Sequence, residues 1–212
     1  MSAPEDNRGD EFRQQGWIKF PFRFSEDGLS KLERQCSSDS VGKRLSDMRA
    51  IAEKLPKNFK TVMENFGFSS SPIRAVWFRK DTSQNWSLPW HQDRIITKAV
   101  KTDDPRLKTW TKKNGQWHCE PEVDHLKRLA FLHIAFDPMT AQSGQLQLLE
   151  KSHLRGKIRQ ADITGLINQL PIAAPDLCRG EAIFVSSLLL HKSSSNQSNH
   201  PRRALRLDFE RN

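Results

Sequence analysis

The sequence predicts a mainly β protein in which N-terminal helices back a double-stranded β-helix, or jelly roll. Two observations carry that expectation. From residue 73 onward, short apolar runs recur (IRAVWF, LAFLHIAFD, QLQLLE, EAIFVSS and ALRLDFE), separated by Pro, Gly, Ser and Asn clusters. That is the pattern of strands joined by turns. From Ser46 to Phe66 the apolar spacing is helical instead.

Taken in order, residues 1–10 (MSAPEDNRGD) form a polar leader, expected to be disordered, and 11–212 read as a single domain. The leader lacks the basic and then apolar start of a secretory signal. Glu11–Gln15 followed by GWIKFPFRF reads as a short helix that turns at Gly16 into a strand. Ser25 is an N-cap for a helix carrying Leu29 and Leu32. Met48, Ile51, Ala52, Leu55, Phe59, Val62, Met63 and Phe66 keep helical spacing across a break at Pro56, which predicts two packed helices. Thr97 to Asp124, charged and bearing Trp110 and Trp117, reads as a long functional loop or lid.

Composition narrows the function classes. No run of about 18 apolar residues exists, so no transmembrane helix is expected. The net charge is +9, but the basic residues are spread along the chain with no tract of five. Dispersed charge fits solubility or a small anionic ligand better than a nucleic-acid groove. The three cysteines, Cys36, Cys119 and Cys178, are odd in number and widely separated, against a disulfide framework or structural zinc site. The expected setting is cytoplasmic.

One motif stands above this background. In LPWHQD, His91 and Asp93 are two apart, and on an extended strand such residues share a face. Alone, the triplet is more often a turn with a local hydrogen bond than a metal site. A third ligand from a distant strand would complete two histidines and one carboxylate on one side of a metal. That set leaves positions open, as non-haem iron(II) oxygenases require. His191, ending the apolar run SLLLH, is the best candidate. Arg202 lies eleven residues past His191, where a hairpin would return a guanidinium to the metal. Arginine suits bidentate binding of a carboxylate such as the distal one of 2-oxoglutarate. Ser193, two past His191, can donate a hydroxyl to the same group.

These blocks, in this order, resemble the phytanoyl-CoA dioxygenase family of iron(II)/2-oxoglutarate oxygenases, over roughly residues 11 to 210. The resemblance rests on EFRQQGWIKFP, IRAVWFRKDTSQNWSLPWHQD, GQWHCEPEVDHLKRLAFLHIAFDPMTAQSGQLQLLEKSH and LLLHKSSSNQSNHPRRALRLDF. It implies that His91, Asp93 and His191 bind iron(II), and that Arg202 with Ser193 binds 2-oxoglutarate, with O2 as the second co-substrate. Asp93 favours hydroxylation over the halogenation of relatives that carry a small residue there. Lys151 stands where the family usually has glycine, which implies a local change at that turn. The inward positions Phe131, His133 and Ala135 differ from compact members that carry polar or basic residues there. Trp86, Trp90, Gln92, His118 and His133 are candidates for the substrate pocket wall, and Lys80 for the co-substrate end. The implied partner is a small molecule, an anionic one being suited to the basic surroundings. Two rival readings stand beside this: a nucleic-acid or nucleotide demethylase of the same superfamily, and a non-catalytic jelly-roll or cupin-like metal or ligand-binding protein.

Overall fold

A computed structural model describes residues 7–36, 42–113 and 115–212. The predicted leader is shorter than expected. Its first six residues lie outside the described residues, but α1 (Arg8–Gln15) already includes Arg8, Gly9 and Asp10. Gly16 ends that helix at φ 87°, a left-handed conformation that glycine takes without a Cβ penalty, and its N–H bonds Phe12 O. The strand that follows, β1 (Trp17–Lys19), covers less of GWIKFPFRF than the sequence suggests. Pro21 lacks an N–H and breaks the ladder, although Phe20 and Phe24 still donate to Ala182 O and Gly180 O.

The helical layer matches expectation. In α2 (Glu26–Cys36) the Gly28 N–H bonds Ser25 Oγ at 3.2 Å, and Leu29 and Leu32 are fully buried. After β2 (Lys43–Leu45), the break at Pro56 separates α3 (Met48–Ala52) from α4 (Phe59–Asn65). The strands β3 (Arg74–Lys80) and β4 (Leu88–His91) then open the β portion.

The stretch expected to be a lid is ordered sheet. It holds β5 (Ile96–Lys98), β6 (Leu107–Lys113) and β7 (Gln116–Pro121), paired antiparallel in the order β5-β7-β6. Its strands were hidden because β6 alternates with charged rather than apolar residues, leaving little hydrophobic signal. Trp110 and Trp117 pack edge to face at 6.1 Å across that pair.

The remaining elements are α5 (Val123–Lys127), β8 (Leu129–Ala135), β9 (Leu146–Leu149), α6 (Ile163–Ile167), β10 (Ile172–Ala173), β11 (Ala182–Ser186), β12 (His191–Ser193) and β13 (Arg202–Glu210). Six strands form one sheet in the order β1-β11-β8-β13-β3-β2, and four form another, β10-β9-β12-β4. This is the predicted mainly β architecture of two apposed antiparallel sheets with helices outside.

Strand β8 shows how the layers are made, because every one of its residues is buried. Leu132 and Ile134 face the helices, packing in one cluster with Leu29, Leu32, Phe59 and Met63. Phe131 and Ala135 face the four-stranded sheet and meet Leu148 and Leu189. Side chains of alternate residues leave opposite faces of a strand, so one strand serves two cores. Burying each such Leu, Ile or Phe contributes about 1.5–3 kcal/mol. The second core is interrupted by a cavity.

The turn at Lys151 departs from expectation. Lysine there keeps the left-handed conformation at φ 65°, so the turn is retained instead of altered. The strain costs about 1–2 kcal/mol, and two bonds oppose it: Lys151 N–H to Gln15 O, and the buried Leu190 N–H to Ser152 Oγ. Among the described residues, no helix is long and apolar enough to cross a membrane.

Candidate metal centre

His91 and His191 face each other across the β4–β12 pair, directly opposite in register, with ring centroids 4.3 Å apart. β4 ends at His91, so Asp93 follows the strand instead of belonging to it; its N–H bonds Ser187 O, which holds the chain in place. The carboxylate still reaches the two imidazoles, with Asp93 Oδ2 at 3.3 Å from His191 Nε2. One donor atom from each of the three residues lies within 4.8 Å of the others.

The imidazoles are oriented by the backbone. His91 Nδ1 lies 2.8 Å from Pro89 O and His191 Nδ1 lies 2.9 Å from Leu189 O. A carbonyl only accepts, so each Nδ1 carries the proton and each Nε2 presents a lone pair to the centre. That is how histidine ligands are normally held. Burial, with the neighbouring His191, lowers the His91 pKa and keeps the ring neutral. Burial pushes the Asp93 carboxyl upward, but the Arg206 charge outweighs it and holds it well below the usual range.

A cavity of about 280 Å³ opens over these groups, lined by residues of β3, β8, β12 and β13. Lys80 and Arg202 are directly paired in the β3–β13 register and close one end. Both are almost wholly buried, at 1% and 3% exposure. Lys80 Nζ donates to Ser193 Oγ at 3.0 Å and to Ser194 O at 2.6 Å, and sits 5.1 Å from the Trp86 ring centre. Burial and the adjacent Arg202 charge lower the Lys80 pKa to about 7, and burial lowers Arg202 to about 10. Arg202 Nε is buried without a partner, and Nη2 lies 3.3 Å from His133 Nε2. Burial and then the charges of Arg202 and Arg206 keep His133 neutral, as an acceptor for the guanidinium. A dry pair of cations with an unused donor is a site built for an anion.

The structure therefore gathers His91, Asp93, His191, Lys80, Ser193, Arg202, Trp86 and His133 around one cavity. Ala135 is buried between the sheets and does not line the cavity. Three pocket candidates fall elsewhere. Trp90 precedes His91 and so leaves the opposite face, packing with Leu149, Ile158 and Leu190. Gln92 also points away, donating to Gly156 O and Leu188 O and accepting from Ile158 N. His118 lies on β7 behind the wall, bonded to Arg44, which does line the cavity.

The residue that sequence reasoning missed is Arg206. Its Nη1 donates to Asp93 Oδ2 at 2.7 Å, its Nε to Asp208 Oδ1 at 2.6 Å, and its guanidinium lies 3.9 Å over the Phe131 ring. Its signal was present: Arg202, Ala204, Arg206 and Asp208 alternate along β13 and share a face.

Comparison with known proteins agrees with this geometry. The family model described as phytanoyl-CoA dioxygenase (PhyH) matches residues 41–204. A sequence search of curated proteins found no match. Among solved structures, AviO1 from Streptomyces viridochromogenes Tue57 superposes with TM-score 0.64 at 14% identity, covering 99% of this chain and 96% of that one. EctD from S. alaskensis, in its apo form, gives 0.68 at 13%, covering 99% and 80%. SnoN, a non-heme α-ketoglutarate-dependent epimerase of nogalamycin biosynthesis, gives 0.63 at 13%, covering 96% and 81%.

Proposed function

This chain belongs to the phytanoyl-CoA dioxygenase family, and from that premise we propose that it is an iron(II)- and 2-oxoglutarate-dependent oxygenase that hydroxylates a small molecule. The observation that carries the reading is the combination within one cavity. Two imidazoles with lone pairs aimed inward and a carboxylate offer one face to a metal, while an unpartnered Arg202 Nε waits at the far end. Two nitrogens and a carboxylate oxygen suit ferrous iron, with coordination positions left for small oxygen ligands. EctD, whose fold this chain shares, has been seen both with bound iron and with 2-oxoglutarate.

In this reading His91, Asp93 and His191 hold the iron. Arg202, Lys80 and the Ser193 hydroxyl bind the distal carboxylate of 2-oxoglutarate, and His133 fixes the Arg202 guanidinium. Iron held there would supply the hydroxylation of a substrate C–H bond by O2, coupled to the conversion of 2-oxoglutarate to succinate and CO2. The chain's own part is to orient both reactants and keep water out, which Phe78, Phe131 and Leu146 do by lining the cavity. Asp93 fills the position that halogenases leave open, which favours hydroxylation. The arginines here converge on a cavity of about 280 Å³, which supports a small-molecule substrate over nucleic acid. Lining residues from Gly42 to Arg206 support reading the chain as one oxygenase domain. Three free cysteines, two of them buried, support a reducing, cytoplasmic setting.

The test is succinate release by purified protein given iron(II), ascorbate and 2-oxoglutarate. Slow uncoupled turnover is expected, lost in His91→Ala. Arg202→Met is expected to raise the KM for 2-oxoglutarate about 100-fold, from charge-assisted bonds worth ~3 kcal/mol. Turnover that survives His91→Ala refutes the ligand assignment.

A further inference from the structure

A second, larger chamber of about 560 Å³ adjoins the first. Arg44, Arg74, Asp93 and Arg206 line both chambers and so form their common wall. Beyond that wall the lining is mixed, with Lys98, His125, Asp208 and Glu210, but it includes four apolar side chains: Leu45 and Met48, which pack against the helical core, and Ile73 and Ile95. Ile73 and Ile95 are 51% and 44% exposed, which marks apolar surface turned toward solvent at a cavity mouth.

The charges in this wall do not balance. Arg206 is shared between Asp93 and Asp208, and Arg74 also pairs with Asp208. Arg44 has no carboxylate partner among the described residues; its hydrogen bond is to the His118 ring. Burial and the neighbouring Arg74 charge both lower the Arg44 pKa, so two guanidiniums crowd one another there. An anion placed between them relieves that repulsion.

The co-substrate cannot be that anion. Arg202 and Arg206 are four residues apart on β13, about 13 Å along an extended strand. Arg74 and Lys80, which bracket β3, are about 20 Å apart by the same measure. A five-carbon diacid spans only about 6 Å from end to end. Held at Arg202, it leaves Arg44 and Arg74 untouched.

We infer that the second chamber is the substrate site and takes an amphipathic anion, with a carboxylate, sulfonate or phosphate group at Arg44 and Arg74 and an apolar body against Leu45, Met48, Ile73 and Ile95. Asp93 in the shared wall puts that body beside the metal centre, where a C–H bond can be oxidised. The inference rests on the oxygenase reading for the chemistry, but not for the binding.

The experiment uses 8-anilinonaphthalene-1-sulfonate, an apolar anion that fluoresces when it leaves water, with the full chain loaded with nickel(II). Saturable binding is expected, weakened at least tenfold in Arg44→Gln and several-fold in Ile95→Ser, whose exposed position tolerates the change. Octanoate should displace the probe where octanol does not, and saturating 2-oxoglutarate should leave it bound. A probe indifferent to both substitutions, displaced equally by octanol, or expelled by 2-oxoglutarate overturns the inference. The oxygenase reading is scored separately, by the visible charge-transfer absorption of anaerobic iron(II) with 2-oxoglutarate. If that band is missing while the probe responds as expected, the reaction is refuted and the anion site stands. If the band is present while the probe ignores Arg44→Gln, the reverse holds.

Discussion

Lys80 makes co-substrate affinity depend on pH in a direction that can be worked out. Its ammonium is buried against Arg202, with His133, Ser193, Ser194 O and Trp86 around it and no paired carboxylate among the described residues. Burial first, and Arg202 second, lower its pKa from 10.5 to about 7. A carboxylate arriving between Lys80 and Arg202 favours the charged amine and raises that pKa again. Binding above pH 7 therefore takes up a proton. Affinity is full below pH 7 and falls as pH rises, approaching tenfold per unit until the pKa of the complex is reached. Between pH 7 and pH 9 the dissociation constant should grow about 50-fold if the bound pKa stays above 9. Neither His91, whose pKa is lowered, nor the co-substrate carboxylates titrate in that window. Calorimetric titration of the nickel(II)-loaded protein, in two buffers of different ionisation enthalpy, reads both the affinity and the proton uptake. Lys80→Met should bind more weakly at pH 7 and show no slope, the two curves converging near pH 9. A wild-type affinity that is flat from pH 7 to 9, or a slope that survives in Lys80→Met, refutes the reasoning.

Two further outcomes are expected. Arg206→Gln leaves Asp93 and Asp208 as buried carboxylates missing their shared cation, which should destabilise the metal-free protein by about 3–5 kcal/mol; urea denaturation checks this, and added nickel(II) should recover part of the loss by binding Asp93. Gly144, at φ 73°, lies against the loop after β12, and a Cβ there would stand 2.3 Å from Ser194 O, the carbonyl that holds Lys80. Gly144→Ala should therefore weaken 2-oxoglutarate binding as well as stability, whereas a purely local turn defect would lower the melting temperature and leave that affinity unchanged.

How much could be read from the sequence depended on whether a residue's partner lay close in the chain. His91 and Asp93 announced themselves because two residues of spacing means one face, even though Asp93 proves to sit past the strand end. His191 and Arg202 were legible as a pair because the family pattern repeats their spacing, although the expected hairpin is not there: β12 and β13 lie in different sheets, and the connection crosses from one to the other. Trp90 and Gln92 were misplaced by the same rule that found the ligands: flanking His91 by one residue sends both to the opposite face. His118 was drawn in by loop chemistry, but β7 gives it a fixed place behind Arg44. Arg206 was passed over because nothing local says which of the arginines on β13 meets a carboxylate. Its partner Asp93 is 113 positions away, and only the fold brings them together.

That distant pair also explains how the cavity is poised before anything binds. At the metal end the charges are satisfied, Arg206 holding Asp93 Oδ2 while burial keeps His91 neutral. A metal arriving there need not displace the guanidinium, because a carboxylate has acceptor sites for both on its two oxygens. At the Lys80–Arg202 end they are not satisfied: the two face each other across the β3–β13 register, burial lowers the basicity of both, and the Arg202 charge lowers that of Lys80 further. One such cation is costly to bury and two are more so. The fold tolerates this because Ser193, Ser194 and His133 supply neutral acceptors, which lessen the cost without cancelling the charge. A carboxylate placed between the two cations does offset it. In the proposed reading, the uncompensated charge of Lys80 and Arg202 would be the physical origin of selectivity for an anionic co-substrate, and a neutral molecule of the same shape would leave it in place.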